Sequence, residues 1–525
     1  MGRLIFDHDR TEASSRQLRR RAGRGELVRL HAGVFLEPSL EAPNLTVRRN
    51  WAQIVSYLYP DAVITDRTAV EAGPTRNGDE DGPGYVFISR PGSRSTLELP
   101  GLVISARKGA GHEATSDMPY LGTWMAGQVR QFLDNIRPSR SRKEPARTIG
   151  PAGVERMLDR ICRTYGEKRL EEIRREAHAL AGKIGRQDEF KDLDALIGGL
   201  LSTRSHKMET QSGRARSEGR PFDPDTMSRL LLVLNRIQGN PLAMVPDPNT
   251  TSDRRATSSF IEAYFSNFIE GTEFAVREAE NIVFTGRVPE KRPADGHDVL
   301  GTYMKLMEPG SARLNELSPE AAIEKLRGDH ADIMRYRPGI SPGRFKTMHN
   351  RAGDTSFVSP DLVQGTLLSG FDMIRSVDDP FARALMAHYL ISEVHPFNDG
   401  NGRMSRIVMS RELISCGLCH IPVPRVFRND YLDSLRALTR RNDPDIFVRS
   451  MHRCQTIAAS CSTDGRQATV ENWARTYAFV EEGRYARFEP LNDGLEVEWQ
   501  DDMPAPASYW RAIEQDRNGG LSFGR

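Results

Sequence analysis

The sequence predicts a mainly α-helical protein with an α+β region at its N-terminus. Apolar residues recur at helical spacing over residues 151–235 and again over 259–449, with breaks at proline, at glycine and at one hairpin-like stretch. Before residue 136, short alternating segments lie between glycine-containing turns, which is typical of strands. A chain of 525 residues exceeds a single core, so we expect roughly two to four domains.

The composition is that of an ordinary soluble globular protein. A net charge of +2 gives no global argument for nucleic-acid binding, so any basic surface must be local. We expect no membrane segment, because no apolar run approaches the roughly 18 residues of a spanning helix. The N-terminus, MGRLIFDHDR, has acids where a signal peptide needs an apolar core. We therefore expect a cytoplasmic protein whose five cysteines are reduced.

Residues 1–50 show the order helix, glycine turn, hairpin. The helix is expected over residues 14–22 with a serine cap, and the hairpin over 26–36 with its turn at Ala32-Gly33. This is the order of recognition helix and wing in a winged helix. The segment resembles the N-terminal domain of AbiEi-like antitoxin and regulator proteins in a short set of matches: Gly25, Leu27, Arg29, Gly33 and Phe35.

This resemblance implies that DNA is a partner of the N-terminal region. The side chains that could contact phosphates are the arginines of the first helix and the turn after it: Arg16, Arg19, Arg20, Arg21 and Arg24. The alternative is a charged helix that only faces solvent, since a basic stripe needs a fitting fold to bind DNA.

Residues 379–417 have the layout of a catalytic segment. Asp379-Pro380 predicts a helix start, and His395-Pro396 predicts its end, because the residue before proline disfavours the helical region. A loop follows over 397–402, and a second helix begins near Arg403. The loop and the helix N-terminus predict a phosphate-binding concavity.

The residue types in this segment suit phosphate chemistry. Gly400 and Gly402 flank Asn401 and allow successive backbone N–H groups to converge. Arg403 and Arg406 lie one helical turn apart and can bind anionic oxygens. The remaining two residues are Asp399, a hard oxygen ligand for Mg²⁺, and His395, a candidate general base. The residues thus predict a phosphate-transfer enzyme with a hydroxyl nucleophile and leave the transferred group open.

Residues 395–406 resemble the signature of the Fic family, His-Pro-Phe-x-[Asp/Glu]-Gly-Asn-Gly-Arg-x-x-Arg, at every specified position. The resemblance implies an all-α core and the transfer of AMP from ATP to a Ser, Thr or Tyr hydroxyl of a target protein. It implies that His395 deprotonates that hydroxyl and that Asp399 holds Mg²⁺ or Mn²⁺. The implied ATP-binding residues are Gly400, Asn401, Gly402, Arg403 and Arg406.

Three further segments extend this resemblance. Ser266, Glu270 and Gly271 match the inhibitory helix of Fic proteins, which implies that Glu270 pairs with Arg406 and denies it to the γ-phosphate. Residues 344–358 read as two strands, 344–348 and 355–358, around a turn, and match the β-hairpin flap that binds the target backbone. Tyr431 resembles the residue that closes the adenine pocket, although packing is the simpler interpretation.

We accordingly divide the chain into six parts. Residues 137–150 are proline-rich and basic without apolar periodicity, which indicates a linker, and the polar stretch 203–220 is expected to be a loop. The parts are a winged helix (1–50), an AbiEi-like α+β domain (51–136), a linker (137–150), a helical region (151–235), a Fic domain with its inhibitory helix (236–455) and a C-terminal extension (456–525).

Two rival functions stay open at this point. Other Fic-like sites transfer UMP, phosphocholine or phosphate, or remove AMP, and the residues here do not select the base. The second rival is a DNA-binding regulator of the toxin–antitoxin kind in which the Fic domain is secondary. The spacing Cys416-x-x-Cys419-His420 matches the c-type haem pattern, but haem attachment needs export and we expect core thiols instead.

Overall fold

A computed structural model describes residues 2–8, 11–76, 82–139, 145–308 and 312–519. The chain forms two compact units, Met1–Gly219 and Arg220–Arg525. The predicted fold class is confirmed: the second unit is mainly helical, and the larger sheets lie in the first unit. No helix in these described ranges is long and apolar enough to cross a membrane.

The first unit begins with a small antiparallel sheet and one helix. Its elements are β1 (Leu4–Phe6), α1 (Glu12–Gly23), β2 (Val28–His31) and β3 (Val34–Leu36), with strand order β1-β3-β2. The hairpin turns at Gly33, whose φ of 74° suits glycine. The expected serine cap is wrong, because the hydroxyl of Thr11 accepts from the backbone N–H of Ser14 (3.1 Å) and so starts α1 earlier.

A six-stranded mixed sheet follows, with strand order β6-β7-β5-β4-β9-β8. Its elements are α2 (Pro43–Arg49), α3 (Trp51–Leu58), β4 (Val63–Ile64), α4 (Asp66–Glu71), β5 (Gly84–Arg90), β6 (Ser95–Leu99), β7 (Leu102–Lys108), β8 (Met118–Tyr120), β9 (Thr123–Met125) and α5 (Gln128–Asn135). The pairs β5/β7 and β4/β9 are parallel, and the other neighbours are antiparallel. This confirms the predicted α+β character.

Helices complete the first unit: α6 (Gly150–Tyr165), α7 (Glu167–Ile184), α8 (Gln187–Leu200) and α9 (Gln211–Ser217). Residues 140–144 of the expected linker lie outside the described residues. The loop expected over 203–220 is partly wrong, because it contains α9. The buried carboxylate of Glu155 on α6 accepts from the backbone N–H groups of Glu209 (2.8 Å) and Thr210 (2.9 Å), and Arg216 pairs with buried Asp159 (2.7 Å). Because these contacts are polar and join residues far apart in sequence, residues 203–220 show no apolar periodicity that would predict α9.

The second unit is built mainly from helices. They are α10 (Pro224–Gly239), α11 (Ser252–Ile269), α12 (Val276–Thr285), α13 (Pro293–Met307), α14 (Pro319–Ile333), α15 (Val363–Arg375), α16 (Pro380–Val394), α17 (Asn401–Ser415), α18 (Arg428–Arg441), α19 (Asp445–Cys461), α20 (Arg466–Ala474) and α21 (Ala507–Gly519). Short 3₁₀ turns span Pro338–Ile340, Pro360–Leu362 and Arg425–Phe427. The strands are β10 (Arg351–Ala352), β11 (Thr355–Ser356), β12 (Val497–Gln500) and β13 (Met503–Pro506).

A helical hairpin, α16 and α17, forms the centre of this unit. The carboxylate of Asp379 caps α16 by accepting from the N–H groups of Phe381 (2.8 Å) and Ala382 (3.1 Å), as the Asp-Pro start predicts. Almost every residue of α16 is buried, so α16 is a core helix rather than a one-sided surface helix. The two helices enclose a loop over residues 395–400, which they hold at one end of the hairpin.

Two of the expected domain boundaries are wrong because they fall inside helices. The boundary at 235/236 lies within α10, where Val233 and Ile237 continue one buried face. The boundary at 455/456 lies within α19, where Cys454 and Ile457 do the same. The segment after α19 packs into the same unit, since the ring of Trp473 lies 5.5 Å from that of Phe265 on α11.

The flap hairpin is shorter than expected. Strands β10 and β11 pair antiparallel with Arg351 opposite Ser356, around a turn at Gly353, whose φ is 56°. Residues 344–348, expected to form the first strand, are irregular instead. The reason is that this segment bonds to the loop over residues 395–400, which we call the catalytic loop after its predicted role: the backbone N–H of Lys346 donates to the carbonyl of Pro396 (2.8 Å).

Candidate active site

His395 ends α16 in a backbone conformation that turns its side chain out of the helix. Its φ is 49°, in the left-handed region, and its N–H still closes the last helical turn on the carbonyl of Ile391 (2.9 Å). The imidazole stacks on the ring of Phe357, with centroids 3.8 Å apart. Its Nδ1 lies 3.3 Å from the carbonyl oxygen of Ser392. A carbonyl only accepts, so we assign the proton to Nδ1, which leaves Nε2 as an acceptor.

The surroundings of His395 keep its imidazole neutral. Burial lowers the pKa of His395 to about 4, and the positive charge of Lys346 acts in the same direction. The carbonyl of Ser392 and the carboxylates of Glu270 and Asp399 oppose this shift without cancelling it. A neutral imidazole with a free Nε2 can take a proton from a hydroxyl at neutral pH.

The catalytic loop is closed by Asn401. Its Oδ1 accepts from the N–H of Phe397 (2.8 Å), and its Nδ2 donates to the carbonyl of the same residue (2.9 Å). Phe397 is fully buried. Gly400 adopts a φ of 76° at the start of α17, and a Cβ there would lie 3.0 Å from the sulfur of Met334. The conformation and the lack of space both require glycine at this position.

Asp399 and Arg403 follow the loop at the start of α17. The side chain of Asp399 is 47% exposed, and its Oδ2 lies 3.9 Å from Arg403. Mg²⁺ commonly binds through one carboxylate together with substrate phosphates, and the exposed carboxylate of Asp399 fits that pattern. Arg403 is buried and pairs with the carboxylate of Asp298 (2.5 Å). Asp298 is shared with Arg337, which also pairs with it (2.8 Å), and the role of Arg403 in ATP binding stays a prediction.

Arg406 is buried and held by α11. Its Nε donates to the hydroxyl of Ser266 (2.9 Å), and one terminal nitrogen donates to the Ser266 carbonyl (2.8 Å). The same nitrogen lies 2.7 Å from a carboxylate oxygen of Glu270. Burial raises the pKa of Glu270, but the charge and hydrogen bond of Arg406 outweigh burial and hold that pKa below its usual value. The predicted contact between Glu270 and Arg406 is thus present.

Two glycines make room for the carboxylate of Glu270. Gly271 ends α11 with a φ of 87°, so that the chain turns away directly after Glu270. A Cβ at Gly402 would lie 2.1 Å from the Oε1 atom of Glu270. Gly402 therefore leaves space for the carboxylate of Glu270 beside Arg406, and its place in a phosphate cradle stays a prediction.

Tyr431 is buried beside the same arginine. Its hydroxyl lies 3.0 Å from Nε2 of His388 and accepts from Arg406 (3.5 Å). The structure therefore connects Tyr431 to the arginine network, and its adenine role stays a prediction. Burial lowers the pKa of His388 to about 3, so this histidine is neutral. His388 is a core residue, in agreement with its position on α16.

A cavity of about 740 Å³ connects these groups. It is lined by His395, Glu270, Gly402, Arg406 and Tyr431, together with flap residues 352–355 and Phe357. Asp399, Gly400, Asn401 and Arg403, all within the described residues, do not line it. The volume falls in the range of sites for small organic ligands. The cavity is thus lined both by an imidazole that can accept a proton and by a buried cation, beside the hairpin flap.

Sequence reasoning missed two residues of this site. Phe357 stacks on the imidazole of His395, and its position in the expected second flap strand was the only signal for it. Asp298 lies on α13 and pairs with Arg403. A single acidic residue on a helix does not reveal such a partner in the sequence. In the Cys-x-x-Cys-His stretch, Cys416 is a half-buried thiol, Cys419 is a buried one, and His420 contacts the buried carboxylate of Glu262.

Residues 322–413 match the sequence model of the Fic/DOC family. These residues comprise most of α14, the flap, α15, α16, the loop between α16 and α17, and most of α17, so this part of the chain is similar to a Fic domain. The match contains the histidine and both arginines of the motif, together with the flap.

Named relatives share this part of the chain. Protein adenylyltransferase fic-1 of Caenorhabditis elegans is 28% identical over 195 residues, which cover 36% of this chain and 38% of that protein. Protein adenylyltransferase Fic of Nematostella vectensis is 27% identical over 202 residues, covering 37% and 46% respectively. The matched region thus spans less than half the length of these relatives.

Solved structures with a partial likeness include a Fic-1 fragment from C. elegans, with 22% identity, a TM-score of 0.34, and coverage of 61% of this chain and 96% of that one. A Fic domain-containing signaling protein from Bacteroides thetaiotaomicron has 18% identity and a TM-score of 0.35, covering 46% and 97%.

The state of His395 can be measured directly. Side-chain NMR of the imidazole nitrogens, with His395→Gln to assign the signal, should show a ring that stays neutral on lowering the pH to about 5 and gains its proton near pH 4. The ¹⁵N shifts should place the proton of the neutral ring on Nδ1. A midpoint near 6.5, or a proton on Nε2, would contradict the geometry described above.

Proposed function

We propose that this protein transfers AMP from ATP to a hydroxyl side chain of a target protein. The observation that carries the proposal is the placement of His395 and Arg406 on one cavity: a neutral imidazole with a free Nε2 lies beside a buried guanidinium. A hydroxyl nucleophile and a polyphosphate need this pair of groups. The relatives named protein adenylyltransferase support the same chemistry.

The transfer is a single displacement at phosphorus. The target's hydroxyl oxygen attacks the α-phosphorus of ATP and forms a new O–P bond. The bond from that phosphorus to the bridging oxygen breaks, and pyrophosphate leaves with the electron pair. Nε2 of His395 takes the hydroxyl proton. Phe357 and Ser392 orient the imidazole from its face and from Nδ1.

The exposed carboxylate of Asp399, just before α17, is suited to a divalent cation. Asp399 would hold Mg²⁺ or Mn²⁺, which would neutralise negative charge on the phosphates. No cluster of three or more His, Cys, Asp or Glu side chains suited to a metal occurs in the described part of the chain, so phosphate and water oxygens would supply the remaining ligands.

We also propose that Glu270 holds the enzyme in a resting state. Its carboxylate occupies the face of Arg406 that opens onto the cavity, at 2.7 Å. A γ-phosphate that approaches this guanidinium must compete with a carboxylate for the same donors. ATP would then bind without the contact that aligns its α-phosphorus for attack.

Label transfer tests both proposals. With ATP labelled at the α-phosphate, Glu270→Gly should label itself or added protein at least about tenfold faster than wild type, because Arg406 becomes free for the γ-phosphate. The matched control Glu273→Gly changes an exposed glutamate three residues away and should behave as wild type. Adding His395→Ala to Glu270→Gly should lower the rate by about 10²-fold or more.

The labels separate the competing reactions. Transfer from the γ-position would make the protein a kinase, and equal rates for wild type and Glu270→Gly would remove the inhibitory role. If Glu270→Gly transfers no label from α-labelled ATP but does so from UTP, the base assignment is wrong.

A second candidate, duplex DNA binding, rests on α1. Arg19 and Arg20 are exposed on this helix, which precedes the hairpin, whereas Arg16 pairs with Glu12 on the surface. Phosphate contacts by exposed arginines release counterions, which makes binding salt-dependent.

Salt titration of the full chain with duplex DNA tests this candidate. Binding should weaken steeply with salt, and Arg19→Ala combined with Arg20→Ala should reduce the slope of log K against log[salt] by about 1.8. The surface pair Arg335→Ala and Arg344→Ala on the second unit serves as a control of equal charge. No binding at low salt, or an unchanged slope, would remove DNA as a partner.

A further inference from the structure

The catalytic loop has backbone carbonyls that no helix or strand satisfies. Residues 395–400 lie between α16 and α17, and the carbonyl of Val394 stands at the open end of α16. Carbonyl groups in such a position need hydrogen-bond donors from elsewhere in the fold. Three side chains outside the signature supply them, and we call Lys346, Asn350 and His330 the carbonyl clamp.

Lys346 and Asn350 bond the part of the loop that carries the base. The ammonium of Lys346 donates to the carbonyl of Val394 (3.0 Å) and to the side-chain oxygen of Asn350 (2.7 Å). The amide of Asn350 donates in turn to the carbonyls of His395 (3.2 Å) and Phe397 (3.0 Å). The residues on both sides of His395 are therefore fixed, as is its own backbone.

His330 bonds the part of the loop that carries Asp399. Its Nδ1 must accept, because its partner is the backbone N–H of Gly343 (2.9 Å). Its Nε2 therefore bears the proton and donates to the carbonyl of Asp399 (2.9 Å). The ring is fully buried and stacks on Phe397 with centroids 3.7 Å apart. Burial lowers the pKa of His330 to about 4, which keeps this neutral tautomer at physiological pH.

These contacts differ from ordinary packing. Lys346 is only 3% exposed, and burial lowers its pKa to about 8. An apolar side chain would fill the same space without the cost of desolvating a cation. The favourable contribution of Lys346 therefore comes from its two hydrogen bonds. The three clamp residues do not line the cavity, within the described residues, and so do not themselves touch a ligand there.

We propose that Lys346, Asn350 and His330 are positioning residues that set the catalytic loop for AMP transfer: the first two place His395, and the third places Asp399. This inference rests on the function proposed above. A displacement of about 1 Å at a reacting group can lower a rate by about 10²-fold, so the clamp has a measurable effect without touching the substrate.

The test uses the full chain with Glu270→Gly as the active parent. Lys346→Met removes the ammonium and keeps the length of the side chain, while Lys346→Arg keeps the charge and the donors. His330→Phe keeps the stacking on Phe397 and removes both hydrogen bonds. The matched controls are Lys291→Met, an exposed lysine, and His297→Phe, a histidine that stacks on Tyr336 with centroids 3.5 Å apart.

The clamp predicts a split between kinetic parameters. Lys346→Met should lower kcat about tenfold or more and leave KM for ATP within about twofold, because the base alone is displaced. Lys346→Arg should restore most of kcat. His330→Phe should lower kcat and also raise KM for Mg²⁺-ATP about fivefold, because Asp399 moves. Both controls should match the parent. A purely structural role would instead lower the thermal midpoint without this split.

Backbone hydrogen exchange separates the clamp from the proposed function. In peptides covering residues 395–402, exchange should be faster in Lys346→Met and His330→Phe than in the parent and the controls. If the parent transfers label and the clamp variants equal the controls in rate and exchange, the clamp is wrong and the function stands. If the parent transfers no label, the proposed function is wrong and the positioning role in AMP transfer is overturned with it, whereas the exchange result still shows whether the clamp residues hold the loop.

Discussion

The burial of the Arg406 guanidinium is the constraint on which the arrangement of the site depends. A buried cation needs ion-pair and hydrogen-bond partners, because removing an unpaired ion from water costs on the order of several kcal/mol. Arg406 obtains its partners from α11, through Ser266 and Glu270, and from α18, through Tyr431. One side chain of α17 thereby joins three helices around the cavity. Among these partners, Glu270 carries the negative charge with which a phosphate would compete for the guanidinium.

The two sides of the cavity differ in how easily their contacts can be exchanged. Arg406 is 2% exposed, whereas Glu270 is 25% exposed, so the carboxylate is the partner of this pair that has access to solvent. The catalytic loop, in contrast, is held by bonds to backbone carbonyls from Lys346 and Asn350, and by the closed pair between Asn401 and Phe397. Under the function proposed above, a fixed base together with a replaceable anion is the arrangement that an autoinhibited enzyme requires.

The sequence predicted the parts of the site that depend on local order. The cap at Asp379, the end of α16 at His395 and the glycine at position 400 all follow from neighbouring residues. The contact between Glu270 and Arg406 followed from family resemblance. Arg403 and its partner Asp298 are 105 positions apart along the chain, so no local sequence pattern predicts that they pair. Polar contacts of this kind also explain α9 and the irregular start of the flap, both of which periodicity alone misread.

The competition between Glu270 and a γ-phosphate for Arg406 is tested most directly by comparing the affinities of ATP and ADP. In wild type the two nucleotides should bind with similar Kd, since Arg406 is occupied. In Glu270→Gly, ATP should bind about tenfold more tightly than ADP, the gain expected of a charge-assisted contact. Adding Arg406→Ala should abolish that preference. Equal ratios of the two Kd values in wild type and Glu270→Gly would contradict the account.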